Sequence, residues 1–174
     1  KNSLKKHLQD SNLAKKSLVK SIDSIDQAIL KIKSSIERGG KVLLCGNGGS
    51  AADAQHLAAE LLIRLRPNLN RKPLPAISLA LDTSTLTACG NDYSFDDIFM
   101  RNLDALGKKN DILITISTSG NSKNIIKVLK KAKSKKIFSV GFFGNNGGQA
   151  KKNCDLPIII KSKITARIQE AHIF

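Results

Sequence analysis

At 174 residues and 18.8 kDa the chain has the length of one globular domain, enough to close a hydrophobic core. Hydrophobic residues at 41% and charged residues at 25% exclude a disordered chain, and no run reaches the roughly 18 consecutive apolar residues of a membrane span. The formal net charge of +15 admits anionic partners of several kinds. Of the 29 Lys and Arg residues 23 are Lys, and one Tyr with no Trp leaves nothing to interleave with bases, so the charge reads as solvated helix faces and nucleic acid is not an expected partner. Cys45, Cys89 and Cys154 are odd in number and without a CxxC pair, and read as buried thiols. The opening Lys1-Asn2-Ser3 begins no apolar signal segment, and the expected location is the cytoplasm.

In chain order, Leu18, Ile22, Ile25, Ile29, Ile32 and Ile36 recur at 4-3-4-3-4, the seam of a long helix that Gly39-Gly40 stops. Leu4 and Leu8 extend the stripe backward past Ser11 and Lys15, so residues 1–38 form one broken helix or two. Such a seam is long for one small sheet to cover, and a second subunit is its expected partner; the alternative is that the stripe packs only on its own domain. The pattern then changes to short apolar runs at Val42 to Cys45, Ala76 to Leu81, Ile112 to Ile116, Ile137 to Phe142 and Leu156 to Ile160. Five apolar strands separated by helix-length segments predict an α/β fold, a three-layer sandwich around a five-stranded parallel sheet. The organisation is a 1–38 helical segment for oligomerisation and a 39–174 ligand-binding domain.

Ligands of such sheets sit beyond the carboxyl ends of the strands, and two loops there have suitable chemistry. Gly46-Asn47-Gly48-Gly49-Ser50-Ala51 formally fits a dinucleotide fingerprint, but no acid stands about 20 residues on, and no nucleotide cofactor is expected. Ser117-Thr118-Ser119-Gly120-Asn121-Ser122 precedes a helix beginning near Lys123. Four hydroxyls, a turning glycine and a helix N-terminus make an anion cradle; the alternative is an ordinary cap by Ser119, Asn121 or Ser122. The helix expected over Ser50 to Leu65 places His56 and Glu60 four apart on one face, with Arg64 one turn further. That pair suits a divalent metal or proton transfer, against the alternative of an inconsequential surface pair. A last helix opens at Ala166 with Gln169 and His172 three apart, and reads as the start of a longer element.

Cys45 to His56, Glu60, Gly90-Asn91-Asp92-Tyr93, Ile116 to Ser122 and Ala166-Arg167-Ile168-Gln169-Glu170 together resemble the phosphoheptose isomerase family over nearly the whole chain. The resemblance implies a sugar isomerase (SIS) fold, a homotetramer built through long N-terminal helices, and a sugar-phosphate substrate. The implied reaction turns sedoheptulose 7-phosphate into D-glycero-D-manno-heptose 7-phosphate for bacterial lipopolysaccharide or capsule. It implies sugar contacts at Asn47, Gly48, Gly49, Asn91 and Asp92, and phosphate contacts at Ser117, Thr118, Ser119 and Ser122. Glu60 becomes the catalytic base, Arg64 lies near substrate, and His56, Glu60 and Gln169 become three ligands of one zinc ion per subunit, with Gln169 also touching substrate. The family's second histidine would fall at position 177, and the spacing of His172 does not suit that role; a family aspartate is replaced by Ala166. A non-catalytic tetrameric scaffold of the same fold, resembling the replication-initiator-associating protein DiaA, is the rival, and it lacks the carboxylate that Glu60 supplies here.

Overall fold

The computed structural model describes residues 2–79 and 82–174. Its centre is a parallel sheet of β1 (Val42–Gly46), β2 (Ala76–Ser78), β3 (Ile112–Ser117), β4 (Phe138–Gly144) and β5 (Leu156–Ile160) in the order β2-β1-β3-β4-β5. Every residue of β1 and β3 is buried, which explains their unbroken apolar character. Alternation splits the strands between two cores. Leu43, Cys45 and Leu113 point to the face covered by α5 (Ile98–Leu106) and α6 (Lys123–Ser134), where Leu103, Ile125, Val128 and Leu129 are fully buried. Val42, Leu44, Ile112 and Ile114 point to the opposite face, against α2 (Ile22–Glu37) and α3 (Gly49–Leu62). The predicted three-layer α/β sandwich is therefore present, with the long N-terminal helical segment ahead of it.

That segment is α1 (Asn2–Lys16), a 3-10 turn at Ser17–Ser21, and α2. The break falls where the Ser17 hydroxyl donates to the Ala14 carbonyl at 2.6 Å and accepts from the Lys161 N–H at 3.1 Å, tying the chain to the end of β5. The apolar seam divides. Leu18, Ile25, Ile32 and Ile36 pack on the sheet, whereas Ile22 and Ile29 are 49% and 57% exposed.

β1, β3 and β4 run one or two residues past their expected carboxyl ends, to Gly46, Ser117 and Gly144, and other boundaries differ as well. β4 starts one residue late because Lys136 takes a positive φ of 57° and the Ile137 N–H closes α6 on the Ala132 carbonyl. α3 ends at Leu62 rather than Leu65, since the Arg71 guanidinium takes the Glu60 and Leu61 carbonyls and the Leu74 N–H takes Leu61 as well. β2 is seen through Ser78; Ala80 and Leu81, the end of the expected strand, lie outside the described residues. The remaining helices are α4 (Thr83–Asp92) and α7 (Thr165–Ile173). No helix among the described residues is long and apolar enough to cross a membrane.

Candidate functional site at the sheet switch point

The strand order turns back on itself between β1 and β3, so the loops leaving these two strands diverge and open a crevice. Both loops are the ones singled out from the sequence. After β1, Gly48 takes φ 56° and α3 begins at once, with Asn47 and Gly48 carbonyls accepting from its first turn. After β3, Gly120 takes φ 63°, and a Cβ there would strike the Gly147 backbone, so only glycine lets this turn lie on its neighbour. The Ser117 hydroxyl accepts the Gly120 N–H at 3.1 Å, and the Ser119 hydroxyl accepts the Asn121 N–H at 3.1 Å. Among the described residues the Thr118 and Ser122 hydroxyls have no partner, although Ser122 is the N-cap of α6.

Between the loops lies a hollow of about 210 Å³ lined by Asn47, Ser50, Ser117, Thr118, Ser119, Ser122, Thr165 and Gln169. Gln169 arrives from α7, whose side-chain amide lies so close to Gly49 that a Cβ there would collide with it. An adjoining hollow of about 270 Å³ shares Thr118, Ser119 and Thr165 and adds Lys163, a cation that sequence reading missed. Free hydroxyl donors at the start of α6, with the dipole of that helix behind them, suit a phosphate dianion. Of the residues expected around the substrate, the structure thus gathers Asn47, Ser117, Thr118, Ser119, Ser122 and Gln169, with Gly48 and Gly49 in the adjoining turn.

The remaining candidates stand elsewhere in the subunit. His56 Nε2 lies 3.8 Å from Glu60 Oε1 on α3, and Glu60 Oε2 is buried without a hydrogen-bond partner. Asp53, one turn earlier, also has a buried unpartnered oxygen, and burial raises its pKa while His56 partly opposes the rise. At about 1.5 Å per residue, Glu60 sits roughly 16 Å along α3 from the Gly49 end where Gln169 packs. Glu60 and the serine loop therefore do not share a hollow within one subunit. Arg64 lies beyond the end of α3, is exposed, and donates to the Pro67 carbonyl at 2.9 Å, so it is not the next turn of a helical face. Asn91 and Asp92 end α4; the Asn91 amide donates to Asp92, which borders a separate surface hollow beside Arg101 and Lys131. For zinc, His56 and Glu60 offer an imidazole and an orphaned carboxylate oxygen side by side, while Gln169 does not reach them within the subunit. Among the described residues no three His, Cys, Asp or Glu side chains cluster to hold a metal.

Known proteins share this sequence and fold. The SIS domain family model matches residues 9–144. A phosphoheptose isomerase of Clostridium acetobutylicum is 49% identical over 99% of this chain and 89% of its own length. One from Helicobacter pylori strain P12 is 47% identical over 97% of this chain and 87% of its own length. Among solved structures, phosphoheptose isomerase GmhA of Neisseria gonorrhoeae superposes with a TM-score of 0.91 at 39% identity, covering 99% of this chain and 91% of that one. A phosphoheptose isomerase from Francisella tularensis gives a TM-score of 0.93 at 36% identity over the same shares. The chain belongs to the phosphoheptose isomerase family of SIS-domain enzymes.

Proposed function

We propose that the protein isomerises sedoheptulose 7-phosphate to D-glycero-D-manno-heptose 7-phosphate, supplying heptose for lipopolysaccharide or capsule in the bacterial cytoplasm. The observation that carries this reading is the hollow at the switch point, where unpartnered Thr118 and Ser122 hydroxyls face the same space as Asn47 and Gln169. Its size suits a phosphate and the adjoining carbons rather than a nucleotide. The phosphate binds to Ser117, Thr118, Ser119 and Ser122, and Gly48, Gly49, Asn47 and Gln169 hold the sugar.

The proton transfer is assigned to Glu60. Its carboxylate takes a proton from C1 of the open-chain ketose, giving a cis-enediol, and returns it to C2, while one hydroxyl proton passes from O1 to O2. No net oxidation occurs. A positioned base of this kind contributes about 10²–10⁴-fold, and fixing the phosphate contributes the orientation. Because Glu60 stands roughly 16 Å along α3 from the hollow of its own subunit, we assign it to the hollow of a neighbouring subunit in a homotetramer. The apolar surface supports such an assembly: Leu4, Leu8, Leu13, Ile22, Ile29 and Leu30 are exposed along α1 and α2, beside an apolar groove of about 470 Å³. His56 and Glu60, with Gln169 of that neighbour, would hold zinc, which when bound polarises the sugar carbonyl. Arg64, Asn91 and Asp92, at exposed positions, belong to the same proposal as substrate contacts supplied across the assembly.

Incubating the protein with sedoheptulose 7-phosphate and following aldose formation by NMR, with and without a chelator, tests the reading. Aldose formation is expected, slowed by the chelator. Saturable sugar-phosphate binding without any aldose would replace it with the scaffold reading.

A further inference from the structure

Asn124 is 1% exposed, in the first turn of α6, and lies outside every motif read from the sequence. It makes a reciprocal amide pair with Asn47 across the crevice: Asn47 Nδ2 donates to Asn124 Oδ1 at 2.9 Å, and Asn124 Nδ2 donates to Asn47 Oδ1 at 2.9 Å. Amide orientations are usually ambiguous, but here a third bond fixes them. The Ile125 N–H, which can only donate, gives to Asn124 Oδ1 at 2.9 Å. With Asn124 so oriented, Asn47 has one orientation that completes the pair.

That third bond has a second effect. Ile125 is the third residue of α6, and its N–H is the donor that an N-cap side chain normally satisfies. Ser122 is the N-cap by backbone geometry, yet its hydroxyl makes no cap bond and faces the hollow. Asn124 has taken over the cap. We propose that Asn124 is the positioning residue of the phosphate site: its carboxamide relieves Ser122 of capping, so that the Ser122 hydroxyl is free for the phosphate, and holds the Asn47 side chain in place at the wall of the hollow. This inference depends on the serine loop binding the phosphate, as argued above.

The test is a double-mutant cycle in the full chain, read as KM and kcat for sedoheptulose 7-phosphate. In the wild-type background Ser122→Ala is expected to raise KM about tenfold, the loss of one hydrogen bond to a charged group. In Asn124→Ala, which itself raises KM more than it lowers kcat, Ser122 swings back to cap Ile125, so adding Ser122→Ala costs less than about threefold. Asn124→Asp keeps the shape and the cap acceptor, and there Ser122→Ala retains its tenfold effect; this arm stands even where the alanine variant does not fold. Equal Ser122→Ala effects in wild-type and Asn124→Ala backgrounds, or a collapsed effect in Asn124→Asp, would overturn the role of Asn124. No effect of Ser122→Ala in the wild type would instead overturn the phosphate reading itself.

Discussion

His172 offers a stability measurement whose size follows from its surroundings. The ring is 8% exposed, stands 6.2 Å from the Phe142 ring, and borders the apolar groove beside Leu18, Ile25 and Ile158. Neither ring nitrogen makes a hydrogen bond of good geometry. Burial lowers its pKa from 6.5 to about 4, with the Phe143 backbone opposing only part of the shift. Between those values the unfolded chain holds the proton and the folded one does not. Stability from this group is therefore complete at neutral pH, falls as pH drops below about 6.5, and is fully lost below about 4. Applied to these values, linkage gives a loss of about 2 kcal/mol between pH 7 and pH 5. His172→Leu removes the titration and fits the apolar surroundings. Urea unfolding of both proteins, at equal concentration and at each pH, should show the variant's advantage widening by about 2 kcal/mol on acidification. Parallel losses in the two proteins would refute the buried, neutral imidazole.

Other substitutions probe the site and its support. Glu60→Gln should abolish turnover while sugar-phosphate binding, read by calorimetry, stays within about threefold, because the serine loop, Asn47 and Gln169 that line the hollow are unchanged. Asp111, 3% exposed, accepts from the Lys41 and Lys108 N–H groups and pairs with Lys41 Nζ at 2.7 Å, tying the start of β1 to the start of β3. Asp111→Ala strands those donors and should cost about 3–5 kcal/mol in denaturant unfolding.

The fold was legible because its signal is carried by burial. Apolar runs marked all five strands, and the 4-3-4-3-4 spacing of Leu18 to Ile36 marked α2. Boundaries were less legible where a distant group decides them. Arg71, some ten residues beyond the end of α3, closes that helix and so removes Arg64 from the face with Glu60. The serine loop and Gln169 could be read as neighbours only through the family resemblance, since α7 reaches Gly49 through tertiary packing. Asn124 was passed over because a polar residue in a helix's first turn looks like any other; its meaning is the partner 77 residues away. The separation of Glu60 from the hollow was illegible for a different reason, because spacing along a helix says nothing about which copy of the chain a side chain serves.

The sharpest measurement concerns that separation. Glu60→Gln and Gln169→Ala variants, each inactive alone, can be mixed, dissociated and reassembled, with mixed oligomers verified by native mass spectrometry. A site built from two subunits regains aldose formation from sedoheptulose 7-phosphate, since some mixed sites pair an intact Glu60 with an intact Gln169. Verified mixed oligomers that stay inactive would contradict a shared site, and with it the mechanism assigned to this chain.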